Sequence, residues 1–202
     1  MGRYHKGVAL TVVDTQNDFA DPAGSLYVKG GEGVVPVINA EIAKAREAGA
    51  LIVLTQDWHP EHTPHFAQDG GIWPVHCVAG TWGAAFHPTL EVPEGAPVIR
   101  KGSSGEDGYS GFTMRDPVTG ETRPTPLEAI LREAGVQALV VTGLATDYCV
   151  KATALDALRL GFATTLLTDT IAAVDLQAGD GETAIGDVRA AGGTIEAAHE
   201  SA

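Results

Sequence analysis

Leu139-Val140-Val141-Thr142-Gly143-Leu144-Ala145-Thr146-Asp147-Tyr148-Cys149-Val150 joins three signals in twelve residues. Leu139 to Val141 is a short apolar run of the kind that lies inside a parallel sheet. Gly143 breaks it. Thr146 or Asp147 is placed to cap a helix that begins near Cys149. At a helix start, the positive end of the dipole and free backbone N–H groups favour thiolate over thiol. The plainer reading of Cys149 is a small buried hydrophobe. On this stretch alone both readings stand. A strand-turn-helix junction is nevertheless where an α/β sheet holds its ligands.

Working outward, similar strands recur. Val8 to Val13 is apolar on both faces and ends at Asp14. Ala50 to Thr55 and Ala96 to Arg100 repeat the pattern, the latter ending at Lys101. Ala163 to Leu167 follows the central stretch, and Thr194 to Ala197 suggests a final edge strand. Between them lie helical patterns over Val34–Ala48, Thr125–Ala134, Lys151–Leu160 and Thr183–Ala191. Strands alternating with helices predict an α/β fold, a three-layer α/β/α arrangement around a mainly parallel sheet of about six strands. There is no internal repeat and no credible linker, so residues 1–202 are expected to form a single domain.

The totals narrow the function. The chain has 202 residues and a formal net charge of −13. That acidity argues against nucleic acid and anionic membrane as partners. Two cysteines, Cys77 and Cys149, are too few for a disulfide scaffold, and no C-x-x-C supports a redox pair. No apolar run has the length of a membrane span. No signal-peptide core follows Met1 to Gly7, and the cytoplasm is the expected compartment. Gly30-Gly31-Glu32-Gly33 neither fits G-x-G-x-x-G nor follows a strand, so no dinucleotide site is expected. No G-x-S-x-G marks a serine nucleophile.

The richest chemistry lies between positions 57 and 77. Asp57-Trp58-His59-Pro60-Glu61-His62-Thr63-Pro64-His65-Phe66 follows a strand, and Trp73-Pro74-Val75-His76-Cys77 comes next. Asp57 and His59 can face one ion, because alternate residues of an extended chain point the same way. His65 and His76 can approach from the loop. Imidazole with carboxylate suits Zn²⁺, Fe²⁺ or Mn²⁺. Cys77 is expected to pack under this loop, and His5, His87 and His199 to lie at the surface. Asp14, Lys101 and Cys149 each follow a strand, and in a parallel sheet those ends share one edge. There an aspartate can take a thiol proton, a lysine can balance charge, and backbone N–H groups at Ala145 and Cys149 can hold an oxyanion.

These motifs resemble those of the isochorismatase-like cysteine hydrolases, and within them the nicotinamidase (pyrazinamidase) group. The resemblance rests on Val13-Asp14-Thr15-Gln16-Asn17-Asp18-Phe19, the two histidine motifs, Lys101-Gly102, Tyr109-Ser110-Gly111-Phe112 and Gly143 to Val150. It implies an isochorismatase-like, Rossmann-like fold and a catalytic triad of Asp14, Lys101 and Cys149. It implies metal ligands Asp57, His59 and His76, with His65 as a fourth, and His62 in the loop but not on the ion. It further implies an oxyanion hole at Ala145 and Cys149 after a cis Leu144–Ala145 bond. Phe19, Trp73 and Tyr109 would enclose a pyridine ring. The implied reaction is deamidation of nicotinamide, and of pyrazinamide, through a thioester, in NAD salvage. One divalent ion (zinc, iron or manganese) would position substrate and water. The oligomeric state, monomer or homo-oligomer, stays open.

Three rivals remain at this point. Another amidase or ureido-hydrolase of the same superfamily would keep the triad without needing the histidines. A metal- or small-molecule-binding module would show no turnover. A thiol redox protein would use Cys77 and Cys149.

Overall fold

The computed structural model describes residues 2–200. Six parallel strands form the central sheet: β1 (Val8–Val13), β2 (Leu51–Asp57), β3 (Val98–Lys101), β6 (Ala138–Leu144), β7 (Ala163–Ala172) and β8 (Thr194–Glu196). Their order is β3-β2-β1-β6-β7-β8. A separate hairpin pairs β4 (Thr113–Arg115) with β5 (Thr122–Pro124). The helices are α1 (Asn17–Ala20), α2 (Gly31–Glu47), α3 (Leu127–Glu133), α4 (Lys151–Arg159) and α5 (Asp180–Ala190).

The period-two alternation of the strands splits the core into two layers. Leu10, Val12, Val140 and Leu144 face Val35, Ile38 and Ile42 of α2. Ala9, Val13, Leu139 and Val141 face Leu127 and Leu131 of α3, Ala154 of α4 and Val188 of α5. Both faces of the sheet are therefore covered, which is why β1 and the first part of β6 read as continuous apolar runs. This is the three-layer α/β/α architecture expected from the sequence.

Several boundaries differ from expectation. Helix α2 begins at Gly31 rather than Val34, because two glycines and Pro36 obscure its first turns. Strand β2 runs two residues past Thr55, so Asp57 ends the strand instead of following it. Strand β7 continues past Leu167 to Ala172, where Ile171 and Ala172 pair with Gly143 and Leu144. The β4–β5 hairpin was not anticipated: its strands are three residues each and mostly exposed, so they carry no apolar alternation.

The expected capping of the helix at Cys149 is also corrected. Neither Thr146 nor Asp147 caps it through a side chain. Asp147 instead accepts hydrogen bonds from the N–H groups of Val174 and Asp175, both at 2.9 Å, and so anchors the loop after β7. Thr146–Val150 forms a π-helical turn, in which Val150 N–H donates to Ala145 O five residues back, and α4 follows it.

The topology determines where a ligand can bind. The chain runs outward from β1 through β2 to β3, then returns to place β6 on the other side of β1. Ligands of open α/β sheets bind outside the carboxyl ends of the strands at such a reversal. Asp14 and Ala145 follow the two strands that flank it. Gly143 lets these strands come together. It pairs with Val13 and has φ 107, and a Cβ there would lie 2.0 Å from Val13 O. Gly143→Ala is therefore expected to cost roughly 3 kcal/mol or more through backbone strain and overpacking. Urea denaturation checks this, and a loss below about 1 kcal/mol would contradict the close packing.

Candidate active site

Three strand ends meet at Lys101. Its Nζ lies 2.7 Å from Asp14 Oδ2 and 2.8 Å from Asp57 Oδ1. It also donates to the carbonyl of Gly108 and sits 3.6 Å from Cys149 Sγ. Lys101 and Asp14 are fully buried. Asp14, Asp57 and Cys149 each bring an oxygen or sulfur within 4.8 Å of the others. The structure thus brings Asp14, Lys101 and Cys149 together, 135 residues apart in sequence at the extremes.

Asp14 is held in a particular pose. Its φ is 41, in the left-handed region, where non-glycine residues are uncommon. Its N–H donates to Thr55 Oγ1 at 3.2 Å, and the Thr55 hydroxyl donates to Asp14 Oδ1 at 2.6 Å. Thr55 was missed in the sequence, where it is one more residue of a buried strand. So was Gln16, whose side chain bonds both the N–H and the carbonyl of Asp57 at 2.8 Å.

Burial raises the Asp14 carboxyl to about 6, with the Asp57 charge adding to it and the Lys101 ammonium opposing it. Burial would draw Lys101 down, but Asp14, Asp57 and Cys149 together hold its pKa well above normal. Burial also lifts the Cys149 thiol, against the pull of Lys101. The expectation that the helix start would favour thiolate is overturned. Burial and the neighbouring carboxylates outweigh the dipole and favour the thiol form.

The histidines form the other half of the site. His59, His65 and His76 each offer a ring nitrogen within 4.8 Å of the others, and all three are buried. Asp57 Oδ2 stands 3.8 Å from His59 Nε2 and 4.0 Å from His76 Nε2. Asp57 therefore faces Lys101 with one oxygen and the histidines with the other. His76 Nδ1 bonds the carbonyl of Pro74 at 2.7 Å, which leaves Nε2 for the site. Burial lowers His76 to about 4, so it is neutral at neutral pH, as a ligand must be. His62 lies outside, exposed and 3.1 Å from Asp69.

This donor set fits a divalent transition metal. Both ring nitrogens of His59 are buried without a hydrogen-bond partner. An imidazole so placed is costly unless something else binds it. The missing side chain of Gly102 makes room for the ring: a Cβ there would meet His59 Nδ1 at 2.4 Å. Three imidazoles and a carboxylate suit zinc, iron or manganese.

Above both halves opens a narrow cleft. Phe19, Trp73, Tyr109 and Tyr148 wall it, with His65, His76, Ala145 and Cys149 also on its surface. Trp73 Nε1 donates to the Tyr109 hydroxyl at 2.7 Å, and Tyr148 packs edge-on against Trp73 at 4.8 Å. All three aromatic residues expected around a ring thus line the cleft. Tyr148 was not singled out as a fourth, although it adjoins Cys149. The Leu144–Ala145 peptide bond is cis.

Residues 8–200 match the model of the isochorismatase domain. The chain belongs to the isochorismatase family. A nicotinamidase of Escherichia coli is 37% identical over 203 aligned residues, which cover 93% of each chain. Among solved structures, a pyrazinamidase of Pyrococcus horikoshii in complex with zinc is 42% identical with a TM-score of 0.84, over 95% of this chain and 99% of that one. A structure of PnC1 from L. infantum in complex with nicotinate is 36% identical with a TM-score of 0.87, over 96% of this chain and 94% of that one.

The electrostatics of Lys101 generate a stability prediction. Lys101→Met leaves the Asp14 and Asp57 carboxylates buried with no cation between them. Breaking such a pair is expected to cost about 3–5 kcal/mol. Chemical denaturation of the metal-free protein tests this. A variant within about 1 kcal/mol of the parent would mean that the ammonium is not what holds the two carboxylates.

Proposed function

We propose that this protein is a metal-containing nicotinamidase, a single-domain cysteine hydrolase that converts nicotinamide to nicotinate and ammonia in NAD salvage and also accepts pyrazinamide. One observation carries the proposal: one aromatic cleft is lined both by Cys149 and by His65 and His76 of the three-histidine cluster. A flat heteroaromatic amide matches both. Its ring lies among Phe19, Trp73 and Tyr109, its ring nitrogen points towards the histidines, and its carboxamide faces Cys149. The nicotinamidase and pyrazinamidase relatives support this substrate class.

The residues divide the work as follows. Asp14 takes the Cys149 proton, and the sulfur attacks the amide carbon. The N–H groups of Ala145 and Cys149 hold the developing oxyanion. Lys101 keeps the Asp14 carboxylate aimed at the thiol and balances the charge that gathers there. Asp14 then returns the proton to the amide nitrogen, the C–N bond breaks, and ammonia leaves a thioester behind. Water attacks the thioester with Asp14 again as base, and release of nicotinate restores the thiol. Asp57, His59, His65 and His76 would hold a divalent ion, which would supply a Lewis-acidic point for the pyridine nitrogen and water.

The histidines argue against a ureido-hydrolase of the same family, which needs the triad alone. The redox rival finds no support: Cys77 is fully buried, and both cysteines are free. No helix among the described residues is long and apolar enough to cross a membrane.

Cys149→Ala is expected to lower ammonia release from nicotinamide by more than about 1,000-fold while nicotinate still binds, as loss of a nucleophile does. Turnover near that of the parent would sink the cysteine mechanism. His76→Ala is expected to lose most of its metal, read by elemental analysis of the purified protein. Unchanged ion content would count against the ligand set.

A further inference from the structure

The loop that carries Tyr109 also carries Asp107, to which the reaction above gives no part. Asp107 Oδ1 lies 2.6 Å from Nδ1 of His65, and both side chains are largely buried. Asp107 is clamped from behind. Its N–H donates to Arg115 O at 2.7 Å, and Arg115 N–H donates to Asp107 O at 2.8 Å. The Arg115 guanidinium stands 3.7 Å from Asp107 Oδ2. Arg115 ends strand β4, so the small hairpin is the support for this contact. The loop bearing His65 is tied to the same place. Its Thr63 hydroxyl donates to Gly105 O at 3.0 Å, and His65 N–H donates to Thr63 Oγ1 at 3.2 Å.

With the Asp107 oxygen as acceptor of this contact, Nδ1 of His65 carries the proton and Nε2 the lone pair. That is the tautomer a ligand needs, and a carboxylate behind a metal-bound imidazole is a recurring way to secure it. His76 obtains the same from the carbonyl of Pro74. His59 has no such partner on either nitrogen. The stacking of His65 on His59, with ring centres 4.7 Å apart and planes 18° apart, means that the pose of one ring bears on the other.

We propose that Asp107 is a positioning residue of the metal centre, which holds His65 with Nε2 towards His59 and His76, and that the β4–β5 hairpin is the arm that presents it. The proposal rests on the assignment of the histidine cluster as a metal site, and the test separates the two. Metal-free protein is titrated with Zn²⁺ in competition with a chromophoric chelator. Asp107→Ala is expected to weaken zinc binding by about 10- to 100-fold. Asp107→Asn keeps an acceptor oxygen and is expected to recover part of that loss, which a merely structural role would not require. Asp107→Ala combined with His65→Ala is expected to bind zinc within about twofold of His65→Ala alone, because both act through one ligand. Thermal melts of the metal-free variants establish that they fold. If the alanine variant does not, Asp107→Ser, polar but too short to reach Nδ1, takes its place under the same limits. Zinc affinity of Asp107→Ala within about twofold of the parent, or full additivity with His65→Ala, overturns the role of Asp107. If His76→Ala also leaves zinc affinity unchanged, it is the metal assignment that fails.

Discussion

The ammonium of Lys101 is the constraint on which the rest of the site depends. Two carboxylates, Asp14 and Asp57, are buried within reach of one another and of a thiol. Without a cation between them, neither could stay ionised away from water. Lys101 meets one oxygen of each. The result is a buried group of charges with one excess negative charge and no room for a second. Burial, with the two carboxylates adding to it, pushes the Cys149 thiol up against the pull of Lys101. Asp57 serves two neighbours: one oxygen is committed to Lys101, and the other looks towards His59 and His76. The nucleophile side and the histidine side are thus joined through a single carboxylate.

Chain topology makes that meeting possible at low cost. Asp14, Asp57 and Lys101 end or follow three adjacent parallel strands, β1, β2 and β3, and Cys149 enters from the turn after β6. No long loop has to be ordered to bring them together, because the hydrogen-bonded register of the sheet already does so. Asp57 pairs directly with Lys101 in the β2–β3 ladder. The sheet spends its rigidity where the charges are, whereas the histidines come partly from a loop and need local ties. His59 is fixed by a short bridge to Val78, with its N–H on Cys77 O and its carbonyl on Ala79 N–H. Cys77 N–H is in turn held by Asp18 at 2.7 Å. The buried Asp18 thus ties the histidine loop to the segment after β1.

Much of this was legible in the sequence, and the parts that were not share a cause. Apolar runs ending in Asp14, Lys101 and the Gly143 turn revealed the strands and the common edge, because burial on both faces leaves an unbroken hydrophobic signal. The density of histidines between positions 59 and 76 revealed the second cluster for the same kind of reason: composition alone carries it. What composition cannot carry is a role that depends on a distant partner. Thr55 looks like any strand residue until Asp14 turns back onto its hydroxyl. Gln16 looks like a loop polar residue until it brackets the Asp57 peptide groups. The hairpin of β4 and β5 has no apolar face at all, since it packs by position and not by hydrophobic burial. Asp147 has the residue type of a helix cap, yet its carboxylate is taken by two N–H groups beyond β7. The local rule was outbid by a tertiary contact.

The aromatic walls of the cleft complete the electrostatic argument. Phe19, Trp73 and Tyr109 add little polarity of their own, and the Trp73 N–H is satisfied by Tyr109. They lower the local dielectric around Asp14 and Cys149, which strengthens every charge interaction there. In open water an aspartate would be too weak a base to draw a proton from a thiol. Burial brings Asp14 to about 6, which makes it a better base that still gives the proton up to a leaving amine. The same burial raises the thiol, so a base is needed. The apolar cleft therefore does more than recognise a flat ring. Together with Lys101 it sets the proton affinities on which the proposed chemistry turns.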